Sequence, residues 1–205
     1  MKGKRVYREF FLHKDIAVMA LLWLLLVSVA IVFALQWSSL LYYGLGMVVF
    51  MFSEYFTHRF IFHLKSPKNR FLLKLMKRLH YDHHKYPNDF NLLFLPLWYS
   101  IPSLVLLVLI FFSITNDMFS TIAYAAGVVM MLLTYEWKHY VAHRPIKPRT
   151  KFGRWVKRMH ILHHFKNENY WYGVSTPFVD VLFRTLKDGR EVDTSTTVKD
   201  LENRQ

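Results

Sequence analysis

Twenty consecutive residues, Ile16 to Leu35, carry no charge, and nothing else constrains the fold of this chain as strongly. About 20 apolar residues let a helix cross the hydrocarbon of a bilayer. Within hydrocarbon, only helices and closed barrels satisfy their own backbone hydrogen bonds. Three further apolar stretches follow: Leu40 to Phe56, charged only at Glu54; Leu92 to Phe112, with Pro96 and Pro102 inside it; and Phe119 to Tyr135, followed by Glu136. The second and fourth are short for a span unless each runs on into the segment after it. The first is apolar all round rather than on one face, which argues against a soluble bundle of buried helices. It is too long for a signal-peptide core and no A-x-A cleavage pattern follows it, so it reads as a retained span. The expected fold is all-α, a four-helix transmembrane bundle in a single membrane-embedded domain over residues 1–192, with a polar, mobile tail at 193–205.

The formal charge is +13, which by itself would suit a nucleic-acid partner. Its placement argues otherwise. Every Lys and Arg lies in residues 1–15, 57–91 or 138–205, and none lies in the connections Gln36 to Ser39 or Ser113 to Met118. Positive residues collect on the cytoplasmic side of membrane proteins. The expectation is therefore a multi-pass protein with both termini and the central loop in the cytoplasm. Its membrane would be the inner or plasma membrane in a bacterium and the endoplasmic reticulum in a eukaryote. No nucleic-acid motif accompanies the charge. Pro67 to Arg78 and Arg149 to Arg158 interleave basic with apolar residues and read as amphipathic helices lying on headgroups. Tyr170, Trp171 and Tyr172 read as an interfacial aromatic belt.

Ten of the eleven histidines fall into four clusters on that same predicted side: His58 and His63; His80, His83 and His84; His139 and His143; His160, His163 and His164. The spacings are H-x4-H, H-x2-HH, H-x3-H and H-x2-HH, a two-plus-three scheme that occurs twice. Neutral imidazole is the commonest protein metal ligand, and ten suit two ions better than one. Residues at i, i+3 and i+4 share a helix face, so each triple can present its rings in one direction. His58 and His63 cannot. Five residues apart, they lie about 140° around an ideal helix, and a local distortion such as a π-bulge must bring them together. His13 has no neighbouring histidine. Glu54 and Glu136 end apolar stretches, where a carboxylate is costly unless paired. Their expected role is to accept the far N–H of a ligating imidazole, with Asp82 a weaker candidate for the same.

Imidazole ligation alone suits iron, zinc, copper or nickel. There is no cysteine, hence no thiolate ligand and no disulfide framework. A site under apolar spans suits a substrate with a long hydrocarbon body. Attack on an unactivated C–H bond calls for a metal–oxygen oxidant, which points to iron and O2. Zinc is the competing occupant after purification. A haem-binding electron carrier is the rival from another class, but haem needs only isolated axial histidines; a metal transporter would place ligands along the spans.

The ordered boxes resemble the fatty acid hydroxylase superfamily, which includes the sterol desaturases, over roughly Ser53 to Lys187. Glu54 to His63, EYFTHRFIFH, looks like that family's first box. His80 to Pro96, HYDHHKYPNDFNLLFLP, and Tyr172 to Thr185, YGVSTPFVDVLFRT, are similar to its fatty acid 2-hydroxylase branch. The resemblance implies an integral membrane oxidoreductase with two iron ions on the ten clustered histidines. It would use O2 and two electrons to hydroxylate a fatty acyl chain or a lipid containing one. Desaturation of a lipid or sterol, or carotenoid hydroxylation, on the same centre is the close alternative. Members of that branch often carry a fused cytochrome b5 domain, for which these 205 residues leave no room. A separate donor is thus expected, such as a cytochrome b5-like protein, a ferredoxin or a reductase. Arg144 departs from the family pattern, standing where another His or a small residue is expected.

Overall fold

The computed structural model describes residues 2–33 and 36–203. Ala34 and Leu35 at the end of the first apolar stretch, and Arg204 and Gln205 at the end of the tail, lie outside the described residues. Helices α1 (Lys2–Phe11), α2 (Lys14–Phe33), α3 (Trp37–Phe56), α4 (Arg70–Met76), α5 (Asp82–Lys85), α6 (Leu97–Thr115), α7 (Met118–His143), α8 (Lys151–Phe165) and α9 (Phe178–Leu182) follow in order, and no strand occurs among the described residues. The chain divides into two compact units, Met1–Phe50 with Leu95–Trp137 and Met51–Phe94 with Lys138–Gln205.

The first unit holds most of the apolar stretches. Among the described residues, four segments are long and apolar enough to cross a membrane: Lys14–Phe33, Trp37–Phe62, Phe90–Thr115 and Met118–His143. The second and fourth do run on into the histidine segments that follow them. Within the third, helix α6 starts later than the apolar run, because Pro96 takes the extended cap position before it and a proline ring suits a helix start better than its interior. Close approach of α3 and α7 depends on two glycines. A Cβ on Gly46 would meet the Tyr124 carbonyl oxygen, and one on Gly127 would meet the Tyr43 carbonyl oxygen. Small residues permit such backbone contact where lipid provides no hydrophobic drive between helices. Tyr7 and Phe10 of α1 pack on Trp137 with ring centroids 5.4 and 5.0 Å away.

The second unit holds all ten clustered histidines. Two stretches depart from the α-helix here. α3 passes into a π-helical turn at Thr57–Phe62, and a second π-helical turn, Lys77–Tyr81, joins α4 to α5. Side chains cap both basic helices. Asn69 accepts from the amides of Phe71 and Leu72, and Thr150 from that of Gly153; each satisfies amides that a helix start leaves open. Phe71, Leu72, Phe152 and Trp155 are exposed, as amphipathic surface helices require. Residues 193–203 are not the mobile tail that their polarity suggests. Leu201 and Val198 are buried, and Lys77 Nζ pairs with Glu202 at 2.6 Å. The aromatic belt expected at 170–172 is likewise corrected: Trp171 and Tyr172 are 0% and 4% exposed, inside the core.

Candidate metal centre

The π-helical turn is what unites His58 with His63. The His63 amide donates to the His58 carbonyl, 3.2 Å away and five residues back, so one turn of the distorted helix spans the whole interval. A standard helix would point the two rings apart.

The ten rings form two groups, each with ligand atoms within 4.8 Å of one another and every member buried. One comprises His58, His63, His80, His84 and His163. The other comprises His83, His139, His143, His160 and His164. The triples therefore do not act as units, contrary to their shared helical face. Each group takes a whole pair and the outer two members of one triple. Its fifth member is the middle histidine of the other triple, His163 or His83. This exchange ties the two sequence halves together. His84 and His164, from different groups, stack with ring centroids 4.1 Å apart.

Within the first group, His63 Nε2 lies 3.3, 2.9 and 3.1 Å from the Nε2 atoms of His58, His80 and His163. One N–H cannot serve three acceptors. The Nδ1 of His58 faces the Tyr172 carbonyl, that of His163 the Tyr170 carbonyl at 2.7 Å, and that of His84 the Val198 carbonyl at 2.9 Å. Carbonyls only accept, so these Nδ1 atoms carry the proton and, in the neutral ring, Nε2 presents a lone pair. In the second group, His139 Nε2 lies 2.8 Å from His83 Nε2, and His143 Nε2 lies 2.9 Å from His160 Nε2. A cation shared by the Nε2 lone pairs of each group accounts for this set of separations. Two nitrogens about 2.1 Å from one ion are about 3 Å apart at right angles. Burial, aided by neighbouring imidazoles, holds His80, His83, His160 and His164 well below the usual histidine range. Burial pulls His84 down to about 3. Neutral, buried imidazole is the form that binds metal, so the donor set fits two ions of a nitrogen-preferring transition metal.

The expected carboxylate partners behave otherwise. Glu54 bonds no ring: its Oε1 accepts from the amides of Val174 and Ser175 at 2.6 and 2.9 Å. Glu136 belongs to the first unit, where its Oε1 accepts from the Leu95 amide at 3.0 Å. Asp82 is absent from both metal groups. A buried carboxylate must be hydrogen-bonded somewhere, and backbone amides fill that need for Glu54 and Glu136. Arg144 lies over the rings of Phe90 and Tyr140, which accounts for a cation at that position. Sequence reasoning missed Asp180 and Glu168, both fully buried. It also missed the carbonyls of Tyr170, Tyr172 and Val198, since a backbone oxygen leaves no trace in residue type.

Ten buried imidazoles in two groups that could each hold a metal ion, with four membrane-length helices among the described residues, define the class: an all-helical membrane protein with a histidine-rich centre. A model of the fatty acid hydroxylase family matches residues 43–185, and the chain belongs to that family. It is 34% identical over 148 residues to the fatty acid 2-hydroxylase of Mus musculus, covering 69% of this chain and 38% of the mouse protein. It is 29% identical over 148 residues to a dihydroceramide fatty acyl 2-hydroxylase of Arabidopsis thaliana, covering 69% of this chain and 59% of that one. The chain thus spans well under two thirds of these relatives. A solved structure, full-length scs7p with only the hydroxylase domain visible, superposes with a TM-score of 0.79 at 24% identity. It covers 88% of this chain and 67% of the other, a likeness of fold.

Proposed function

We propose that this protein is a membrane-bound, O2-dependent lipid hydroxylase acting on a fatty acyl chain or a lipid that contains one, with C2 as the position suggested by its relatives' names. The observation that carries it is the pair of buried five-histidine groups. Five nitrogens converging on one point leave no open face for a haem macrocycle, which speaks against an electron carrier. All ten histidines are assigned as ligands, five to each of two iron ions; zinc is the competitor when the protein is overexpressed. Bound iron supplies O2 activation with two electrons. We assign those electrons to a separate carrier of the cytochrome b5, ferredoxin or reductase class. Placement of Lys and Arg supports cytoplasmic termini and a cytoplasmic metal centre.

The chain's own residues have definable tasks in this scheme. Nδ1–H donation by His58, His84 and His163 to backbone carbonyls turns their Nε2 lone pairs inward. Burial of all ten rings keeps water from competing for the centre. Burial also holds His80, His83, His84, His160 and His164 neutral, so none of these five need lose a charge-bearing proton when metal arrives.

Expression of the chain with an electron donor, followed by mass spectrometry of the host lipids, tests the proposal. One lipid class should gain the mass of one oxygen atom, and His84→Ala and His164→Ala should each abolish the gain. Loss of two hydrogens instead would assign desaturation. An unchanged lipid profile from iron-loaded, reduced protein would refute lipid oxidation altogether.

A further inference from the structure

Three of the five rings in the first group are fastened from behind, and the fasteners come from two backbone segments. Tyr170 and Tyr172 supply carbonyls to His163 and His58, and Val198 supplies one to His84. Buried carboxylates hold both segments. Asp180 accepts from the amides of Tyr172 and Gly173 at 2.8 and 2.7 Å. Glu54 takes the next two amides, Val174 and Ser175. Glu168 accepts from Ser195 Oγ and Thr197 Oγ1 at 3.0 and 2.6 Å, and the Lys166 carbonyl accepts from the Ser195 amide at 2.8 Å. Trp171, between the two tyrosines, has φ 59°, a left-handed conformation that bulky residues avoid. In the second group the backbone of Leu93 hydrogen-bonds His139, but the Nδ1 atoms of His83 and His160 have no hydrogen-bond partner among the described residues. Neither ring nitrogen of His164 has a hydrogen-bond partner there.

We infer that residues 170–175 and 195–198, held by Asp180, Glu54 and Glu168, are a positioning shell for one metal only, so that the two ions are held unequally. The ion of the first group is the tighter, and the ion of the second group exchanges first. The inference rests on the two-metal reading above. An N–H···O=C bond behind a ligand fixes its tautomer and ring orientation before metal arrives and raises its basicity. Losing such a partner typically costs about 10–100-fold in metal affinity.

Release of Co2+ by a chelator from the full chain in detergent, followed by cobalt absorption and elemental analysis, tests this without reference to turnover. Two equivalents should bind and leave in two phases separated by about 10-fold or more. His164→Ala should remove the fast phase and His84→Ala the slow one. Ser195→Ala combined with Thr197→Val should speed the slow phase about 10–100-fold and leave the fast phase alone, with Thr197→Ser restoring it. Two equivalents leaving in a single phase would overturn the inference while leaving the two-metal reading intact. So would loss of the slow phase in His164→Ala. Should the double variant fail to fold, the wild-type phases and the two histidine variants decide the matter. Fewer than two equivalents at saturation would overturn the two-metal reading and this inference with it.

Discussion

At the scale of single residues, the centre is built as much by backbone as by imidazole. Four successive amides, Tyr172 to Ser175, are taken up by Asp180 and Glu54, and the loop has no slack at Gly173. A Cβ there would run into the Thr176 carbonyl oxygen and lie 2.7 Å from Asp180 Oδ2. Gly173→Ala should therefore displace the loop that holds His58, destabilising the protein by about 1–3 kcal/mol. Thermal unfolding in detergent and metal content should both register it. Asp180 also gives a pH signature. Burial raises it above its ordinary value of 3.8, against the hydrogen bonds from Thr185, Gly173 and Tyr172. Between 3.8 and that raised value the folded state binds more proton than the unfolded one, so stability falls as pH rises through the window. Unfolding measured across this acid range should show that slope in the wild type, and Asp180→Asn should flatten it. The histidines were legible as ligand candidates because metal chemistry demands that residue type. The acceptors behind them were not, because any residue can supply a carbonyl.

At the scale of elements, sequence periodicity exposed its own failure point. The H-x4-H interval does not fit an α-helix, and the structure resolves it with a π-helical turn at Thr57–Phe62. A matching turn at Lys77–Tyr81 gave no such warning, because H-x2-HH already fits an ideal helix face. α7 carries His139 and His143 at its last turns, and Lys157 secures that end. Its Nζ donates to the carbonyls of Val141, Arg144 and Ile146 at 2.8, 2.8 and 2.9 Å, in the last turn and just past the helix end, where the helix dipole favours a cation. Lys157→Met keeps the stem and removes the donors. It should cost about 1.5–3 kcal/mol, read as lower thermal stability, with Lys157→Arg recovering part of it. In the first unit, Gly127→Ala would push a methyl onto the Tyr43 carbonyl. A loss of about 1–3 kcal/mol is expected, measured by unfolding in mixed detergent micelles, whereas Gly44→Ala, with open space around it, should be near neutral.

At the scale of the molecule, metal and fold should be linked. The candidate ligands for two ions come from segments far apart in sequence, so metal that binds only the folded chain would stabilise it by mass action, by about 4 kcal/mol when present at a thousand times its Kd. Stripping metal with a chelator should lower the unfolding temperature markedly, and readdition should restore it; an unchanged temperature would mean that the histidine groups do not hold metal in the folded protein. The sequence by itself determined the four apolar spans, through length and the absence of charge. It also determined the ten ligand candidates and the doubled two-plus-three scheme, because those features reside in residue type and spacing. Only the tertiary structure decided how the ligands are shared. Each group borrows the middle histidine of the other half's triple, a choice made by packing between segments distant along the chain. The tertiary structure likewise turned an apparently loose tail and an apparent aromatic belt into buried parts of the unit that holds the ten histidines. Burial and backbone hydrogen bonding depend on which surfaces meet, and a polar or aromatic residue does not record that in its type.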